Sequence, residues 1–220
     1  MSTHIIAVRH GETAWNVDGR IQGHTDIPLN ALGCEQAARA GAALASEKIA
    51  AIYSSDLQRA FATATAIATP QRKPVVIDLG LRERGFGVFE AQTFEEIAAF
   101  DPPGYASWRA REPHYAPAGG ESLVTTFNRV IAAVHKLAAA HDGSTIAVVG
   151  HGGVLDALYR SAMELDIDAI RDWPLKNASI NRLQWAEGKL TIVEWSSTQH
   201  LDAAAGDDAA VAKLTQPVKN

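Results

Sequence analysis

Two stretches, "IIAVRHG" at residues 5–11 and "TIAVVGHGG" at residues 145–153, each run through a buried-type strand and stop at a histidine followed by glycine. In an open parallel sheet, ligands bind outside the carboxyl ends of the strands, where the connections diverge. Two such joins on neighbouring strands bring His10 and His151 face to face, although sequence alone leaves their adjacency open. Gly11, Gly152 and Gly153 allow the backbone to come close to a ligand, and the N–H groups that open a helix after Gly152 favour an anion.

The rest of the chain repeats the alternation that such a sheet needs. Short β-branched runs, read as strands at 4–9, 50–54, 74–79, 145–149, 178–185 and 189–195, alternate with longer amphipathic ones. Glu187 and Gly188 separate the last two strands as a turn pair and predict a terminal antiparallel hairpin. Helices are expected over about 31–46, opened by Asn30, and over 57–68, opened by Asp56. The second puts Leu57, Ala60, Phe61, Ala64 and Ile67 on its apolar face. A further helix over 122–140 places Leu123, Phe127, Val130, Ile131, Val134 and Leu137 on one side, and another begins just after Gly152. Residues 80–120 break the rhythm with arginines, aromatic residues and the Pro-rich pieces "DPPGY" and "REPHYAPAGG", as a cap over a site does. From Ala203 the chain is rich in Ala and Asp with no core-facing pattern, and is expected to be loosely ordered or a marginal helix.

At 220 residues, one α/β domain with an inserted cap is the simplest organisation. The formal charge of −5 argues against a nucleic-acid partner, so any bound anion must meet a local cluster of cations. The single cysteine, Cys34, excludes an internal disulfide and a CxxC pair. The first apolar stretch, from Ile5, shows neither a basic n-region nor a cleavable h-region, and no run approaches the ~20 apolar residues of a membrane span, so a cytoplasmic protein without a membrane partner is expected.

Four groups bear chemistry. Taken alone, each of His10 and His151 reads equally well as a polar strand-end residue bonded to a loop. Arg9 beside His10 changes this, because a like charge disfavours protonation and a nucleophilic imidazole must be neutral. In "SSDLQRAFATA" (54–64), Arg59 falls in the first helical turn, where it opposes the helix dipole. It is either a solvated surface cation or the partner of a bound anion. In "LRERGFGVFEAQT" (81–93), Glu83 sits between Arg82 and Arg84 and is the best-placed general acid for a departing ester oxygen. Its alternatives are a plain solvated role, or Glu12 as the acid. The remaining histidines show no metal-ligand spacing such as HExxH; His24 and His114 are candidates for the pocket mouth.

The motifs "RHGETAWN" (9–16), "SDLQRAFATA" (55–64), "LRERGFGVFE" (81–90), "GGES" (119–122) and "VVGHGG" (148–153) together resemble the histidine phosphatase, or phosphoglycerate mutase-like, superfamily. They stand in the family order and span nearly the whole chain to about residue 200. The resemblance implies a three-layer α/β/α fold with a mostly parallel, mixed six-stranded sheet, a domain over 1–200 with its cap at about 85–120, and a tail at 201–220. It implies a phosphohistidine on His10. Arg9, Arg59 and His151 would hold the phosphate, assisted by Asn16 and the Gly152 backbone, and Glu83 would donate the proton. No metal and no cofactor is expected.

Two activities share such a pocket. A phosphatase, here a phosphomonoesterase of the histidine acid phosphatase type, lets water reach the phosphohistidine. A cofactor-dependent mutase shields it, and would need 2,3-bisphosphoglycerate. The cap from 91 to 119 offers Arg109, Arg111 and His114 in "WRAREPH"; it is shorter than in the mutases, and this, together with "GVFEAQTFEEI", favours the phosphatase. Gln22, where mutases commonly carry a small hydroxyl residue, points the same way. With Gly23 it is a candidate substrate contact, as are Arg109 and Arg111. Ala91 departs from the family glycine and bears on the local turn. A phosphate-binding protein without catalysis is the third reading, but it should lack one of His10, Arg59, Glu83 and His151, and all four are present. The expected partner is a small phosphorylated metabolite, with a homodimer left open.

Overall fold

The first strand, β1 (Thr3–Arg9), has Ile5 to Val8 wholly buried. In the computed structural model, which describes residues 2–202, it lies near the middle of one six-stranded sheet. The other strands are β2 (Ile49–Ser54), β3 (Val75–Ile77), β4 (Thr145–Gly150), β5 (Ile180–Ala186) and β6 (Lys189–Ser197), in the order β3-β2-β4-β1-β5-β6. Pairing is parallel from β3 to β1 and antiparallel through β5 and β6. The hairpin joining β5 and β6 turns at Glu187 and Gly188, both with positive φ, as a twisted two-residue turn requires.

Alternation along β1 and β4 sorts the core onto two faces. Ile5, Ala7, Ile146 and Val148 pack under α6 (Leu123–Ala139) and α7 (Gly152–Ala162), meeting Val130, Val134, Val154 and Leu158. Ile6, Val8, Ala147 and Val149 pack under α2 (Ala31–Ala43) and α3 (Gln58–Gln71), meeting Leu44, Ala60, Ala64 and Ile67. Each large aliphatic side chain buried in this way contributes on the order of 1.5–3 kcal/mol, and together they give the three layers. Short helices complete the chain: α1 (Ala14–Val17), α4 (Phe94–Phe100), α5 (Pro102–Arg109) and α8 (Gln199–Asp202). Cys34 is exposed on α2. No helix among the described residues is long and apolar enough to cross a membrane.

Several local expectations are corrected. Strand β3 stops at Ile77, because the Asp78 side chain accepts from Gly80 N at 2.8 Å and starts a 3-10 turn over Leu79–Leu81. Helix α2 ends three residues early, at Ala43, and α3 extends to Gln71, carrying Pro70 in its last turn. Asp56 does not cap α3: Arg82 takes its carboxylate with Nε at 2.7 Å and with Nη2, while Asp26 receives Gln58 N at 2.7 Å. A charged fork binds a carboxylate more strongly than one amide does. Phe61 leaves the core face and is 38% exposed. The expected loose order from Ala203 lies outside the described residues, whereas Leu201 and Asp202 belong to α8.

Candidate active site

Strand register decides the centre of the site. Arg9 pairs with Gly150 in the parallel β1–β4 ladder, so the next residues, His10 and His151, emerge side by side with ring centroids 5.2 Å apart. Both are buried. His10 Nδ1 lies 2.6 Å from Gly11 O, and a carbonyl can only accept, so Nδ1 carries the hydrogen and Nε2 keeps its lone pair. Burial, then Arg9 and Arg59, hold the His10 pKa well below its ordinary value. Burial, then Arg59, His10 and Arg9, do the same for His151. His151 Nε2 meets Ser55 Oγ at 2.7 Å, and its buried Nδ1 makes no hydrogen bond within the protein.

Two cations flank the pair. Arg59, in the first turn of α3, is fully buried rather than solvated, with Nη1 donating to Thr25 O at 2.9 Å and Nη2 to Gly23 O at 2.7 Å. Arg9 donates through Nη1 to Leu175 O. The Nε of each is buried without a partner. Opposite them, Glu83 Oε1 accepts from Gly153 N at 2.9 Å and from Arg84 N at 2.8 Å, which sets the carboxylate against the N-terminus of α7. Glu12 is occupied elsewhere: its Oε1 accepts from Asn30 Nδ2 at 2.8 Å.

Of these groups, Arg9, His10, Arg59 and Glu83 line a cavity of about 750 Å³, whereas His151 is wholly buried and reaches it only through its contact with His10. Of the other sequence candidates, Asn16, Gln22, Gly23, Gly152, Arg109 and Arg111 all line the same cavity. Asn16 Oδ1 accepts from Thr13 and Asn177, so its amide nitrogen is the end left for a ligand. Gln22 Oε1 is buried without a partner. Gly23 has φ +53°, and its carbonyl is spent on Arg59. Gly11 yields its space to the fold instead, because a Cβ there would lie 2.3 Å from Gly33 O on α2. His24 and His114 do not line the cavity: His24 Nε2 bonds to Glu83 O at 2.8 Å, and His114 is exposed.

The 85–120 segment forms one wall through α4 and α5, knit together around Trp108, whose ring lies 5.4–6.0 Å from those of Phe86, Phe89, Phe94 and Tyr105. A second wall, from residues 163–177, contributes Ile167, Arg171, Trp173, Pro174 and Leu175 and carries no periodic signal in the sequence. Arg160 organises it, donating to Asp156 at 2.9 Å, Asp166 O at 2.7 Å and Ala169 O at 2.9 Å, with its guanidinium 4.7 Å from the Trp173 ring. The i,i+4 pair Asp156–Arg160 on α7 was the available signal. Asp156 also receives Arg111 Nη2 at 3.4 Å, joining the two walls. Sequence reasoning likewise passed over Arg171 and Arg84 as cavity residues. Arg84 is brought to a pKa of about 10 by burial and by Arg111 nearby. Among the described residues, no group of three His, Cys, Asp or Glu side chains is placed to hold a metal ion.

A model of the histidine phosphatase superfamily (branch 1) matches residues 5–198. The chain is 39% identical to phosphoglycerate mutase-like protein 4 of Arabidopsis thaliana, over 90% of this chain and 86% of that one. It is 37% identical to a metal-independent phosphoserine phosphatase of the same plant, over 91% and 84%. Among solved structures, YhfR of Bacillus stearothermophilus superposes with a TM-score of 0.85 at 32% identity, covering 90% of this chain and 99% of that one.

Proposed function

The chain belongs to the histidine phosphatase superfamily, and from that premise we propose that it hydrolyses phosphomonoesters through a phosphohistidine on His10. The observation that carries this reading is the His10 ring itself. It is buried between two arginines, with Nδ1 committed to Gly11 O at 2.6 Å, so the lone pair of Nε2 is the one free to attack phosphorus.

Two steps follow. In the first, Nε2 forms a bond to phosphorus as the ester P–O bond breaks in line, and Glu83 in its acid form gives its proton to the leaving oxygen. Arg9, Arg59 and His151, with the Asn16 amide and the Gly152 backbone, meet the charge spread over the three equatorial oxygens. In the second, water attacks phosphorus and gives a proton to the Glu83 carboxylate, and the P–N bond breaks to release inorganic phosphate and restore His10. The cations are side chains, so neither step needs a metal or a cofactor. A histidine acid phosphatase type of activity suits the lowered pKa of His10, which keeps the nucleophile neutral as the medium is acidified. The substrate is a small phosphorylated metabolite whose remainder lies against Gln22, Arg109 and Arg111, and a cytoplasmic setting fits such a substrate. The 37% identity to a metal-independent phosphoserine phosphatase supports hydrolysis.

The second reading, a mutase dependent on 2,3-bisphosphoglycerate, is favoured by the mutase-like relative and by the outer arginines. The test is phosphate release from p-nitrophenyl phosphate in the presence of EDTA. Turnover is expected with the wild-type chain and a loss of more than about 10³-fold with His10→Ala; retained turnover in that variant would remove the mechanism. Isomerisation of 3-phosphoglycerate, primed with 2,3-bisphosphoglycerate, that outruns phosphate release would instead select the mutase.

A further inference from the structure

The segment that carries Glu83 has no strand or helix to hold it. Residues 83–86 follow the 3-10 turn Leu79–Leu81 as irregular chain, so their backbone donors and acceptors need side-chain partners. His24 Nε2 donates to Glu83 O at 2.8 Å and Glu90 Oε1 accepts from Phe86 N at 3.0 Å, and two further partners lie outside the proposed chemistry: Glu121, which precedes α6, and Arg129, within it.

Arg129 uses every donor it has. Nη1 donates to Gly80 O and Arg82 O, both at 3.0 Å, and Nη2 donates to Glu83 O at 3.1 Å. Nη2 also reaches Glu121 Oε2 at 2.6 Å, and Nε reaches Glu121 Oε1 at 2.9 Å. All five guanidinium N–H groups are thereby engaged. Glu121 completes the frame: its Oε2 accepts from Gly85 N at 2.9 Å, its N donates to Gly85 O at 2.8 Å, and its O accepts from Arg84 Nε at 2.8 Å. Both side chains are mostly buried, at 24% and 19% exposure for Arg129 and Glu121, so solvent screens the pair only weakly.

The opposite side of Glu83 is equally fixed. A Cβ on Gly153 would lie 2.3 Å from Glu83 Oε1, so the α7 N-terminus sits as close to the carboxylate as a glycine permits. Proton transfer requires heavy atoms within roughly 2.6–3.2 Å, and misplacement by ~1 Å can cost about 10²-fold in rate. We infer that Glu121 and Arg129 form a brace that positions Glu83 for proton transfer to the leaving oxygen, acting as positioning residues that never touch the substrate. The inference rests on the reading of Glu83 as the acid.

Leaving-group dependence separates positioning from general stability. p-Nitrophenyl phosphate expels a stable anion and needs little acid assistance, whereas an alkyl ester such as glycerol phosphate needs the proton. Turnover of both esters is compared for Glu121→Gln, Arg129→Met, Arg129→Lys and, as reference, Glu83→Gln, with Tm recorded for each. The expected result is a drop in kcat of roughly 30-fold or more on the alkyl ester, and of less than about three-fold on p-nitrophenyl phosphate, for both Arg129→Met and Glu121→Gln. KM should stay near wild type. Arg129→Lys should recover little, because an ammonium cannot reproduce the planar fork. Equal losses on the two esters while Glu83→Gln discriminates between them, or no loss at all, would overturn the brace and leave the acid standing. A Glu83→Gln variant that does not discriminate would overturn the acid, and the brace with it. Should Arg129→Met fail to fold, Glu121→Gln, nearly the same in shape, decides alone.

Discussion

The inner and outer ends of the cavity use the same residue type in opposite ways. At the inner end, Arg59 is fully buried and held by two backbone carbonyls, so its orientation is fixed before any ligand arrives. At the outer end, Arg109 and Arg171 are exposed, and their side chains make no hydrogen bond among the described residues. Arg111 lies between the extremes, with one carboxylate contact at 3.4 Å, a carbonyl at 3.2 Å and a buried Nε without a partner. Preorganised donors act on the transition state without reorganising, whereas mobile ones must be ordered by the ligand. The inner end is therefore built for one invariant group, and the outer end for the variable remainder of a substrate.

The sharpest way to break this comparison is to remove one arginine from each end. Arg59→Met should lower kcat/KM on p-nitrophenyl phosphate by about 10²–10³-fold, mostly through kcat, because its contacts strengthen as charge develops on the phosphoryl oxygens. It also strips Gly23 O and Thr25 O of their donor, so a lower Tm is expected. Arg111→Ala should change KM on a compact aryl ester by less than about ten-fold and leave kcat nearly intact. Equal effects on kcat from both variants, measured by steady-state kinetics, would erase the distinction between the two ends.

A second prediction concerns what burial does to the inner histidines. Burial and the flanking arginines lower the pKa of both His10 and His151 in the folded protein. Their unfolded value is about 6.5. Below that pH the unfolded chain binds protons that the folded chain refuses, so stability is full above about pH 6.5 and falls as the pH drops beneath it. Tm measured from pH 7.5 down to pH 5 should follow this course, and His151→Gln should flatten it. An unchanged slope in the variant would mean that His151 is not held neutral.

The smallest effect is expected at the Ala91 turn, within the cap segment. Ala91 has φ +68°, a conformation costing a residue with a Cβ roughly 1–2 kcal/mol, and it is kept there by Ala91 N donating to Ile21 O at 2.8 Å and Arg20 Nη1 donating to Ala91 O at 2.7 Å. Ala91→Gly should raise Tm slightly, with kinetics unaltered. A lowered Tm would show that the turn gains more from the methyl group than it loses in strain.

Much of the inner end was legible because its residues sit where a periodic element stops. A strand-His-Gly join declares a strand end, so His10 and His151 could be singled out from one line of sequence, while their adjacency came only with the β1–β4 register. Asp56 misled for a related reason: helix-cap preference is local, and it lost to Arg82, which the fold brings across from another loop. The wall at 163–177 left almost no trace, since Arg160 holds it through carbonyl groups that any residue carries.

By itself the sequence determined the order of the six strands and of the four long helices, and the terminal hairpin, because hydrophobic period and turn chemistry are local properties; it also named the candidate side chains. Only the tertiary structure decided that Arg9 stands beside Gly150, that Arg59 is buried, and that Glu121 and Arg129 frame the Glu83 segment. Those facts depend on register and on contacts between residues far apart in the chain. Local periodicity carries no information about such contacts until the sheet has closed around them.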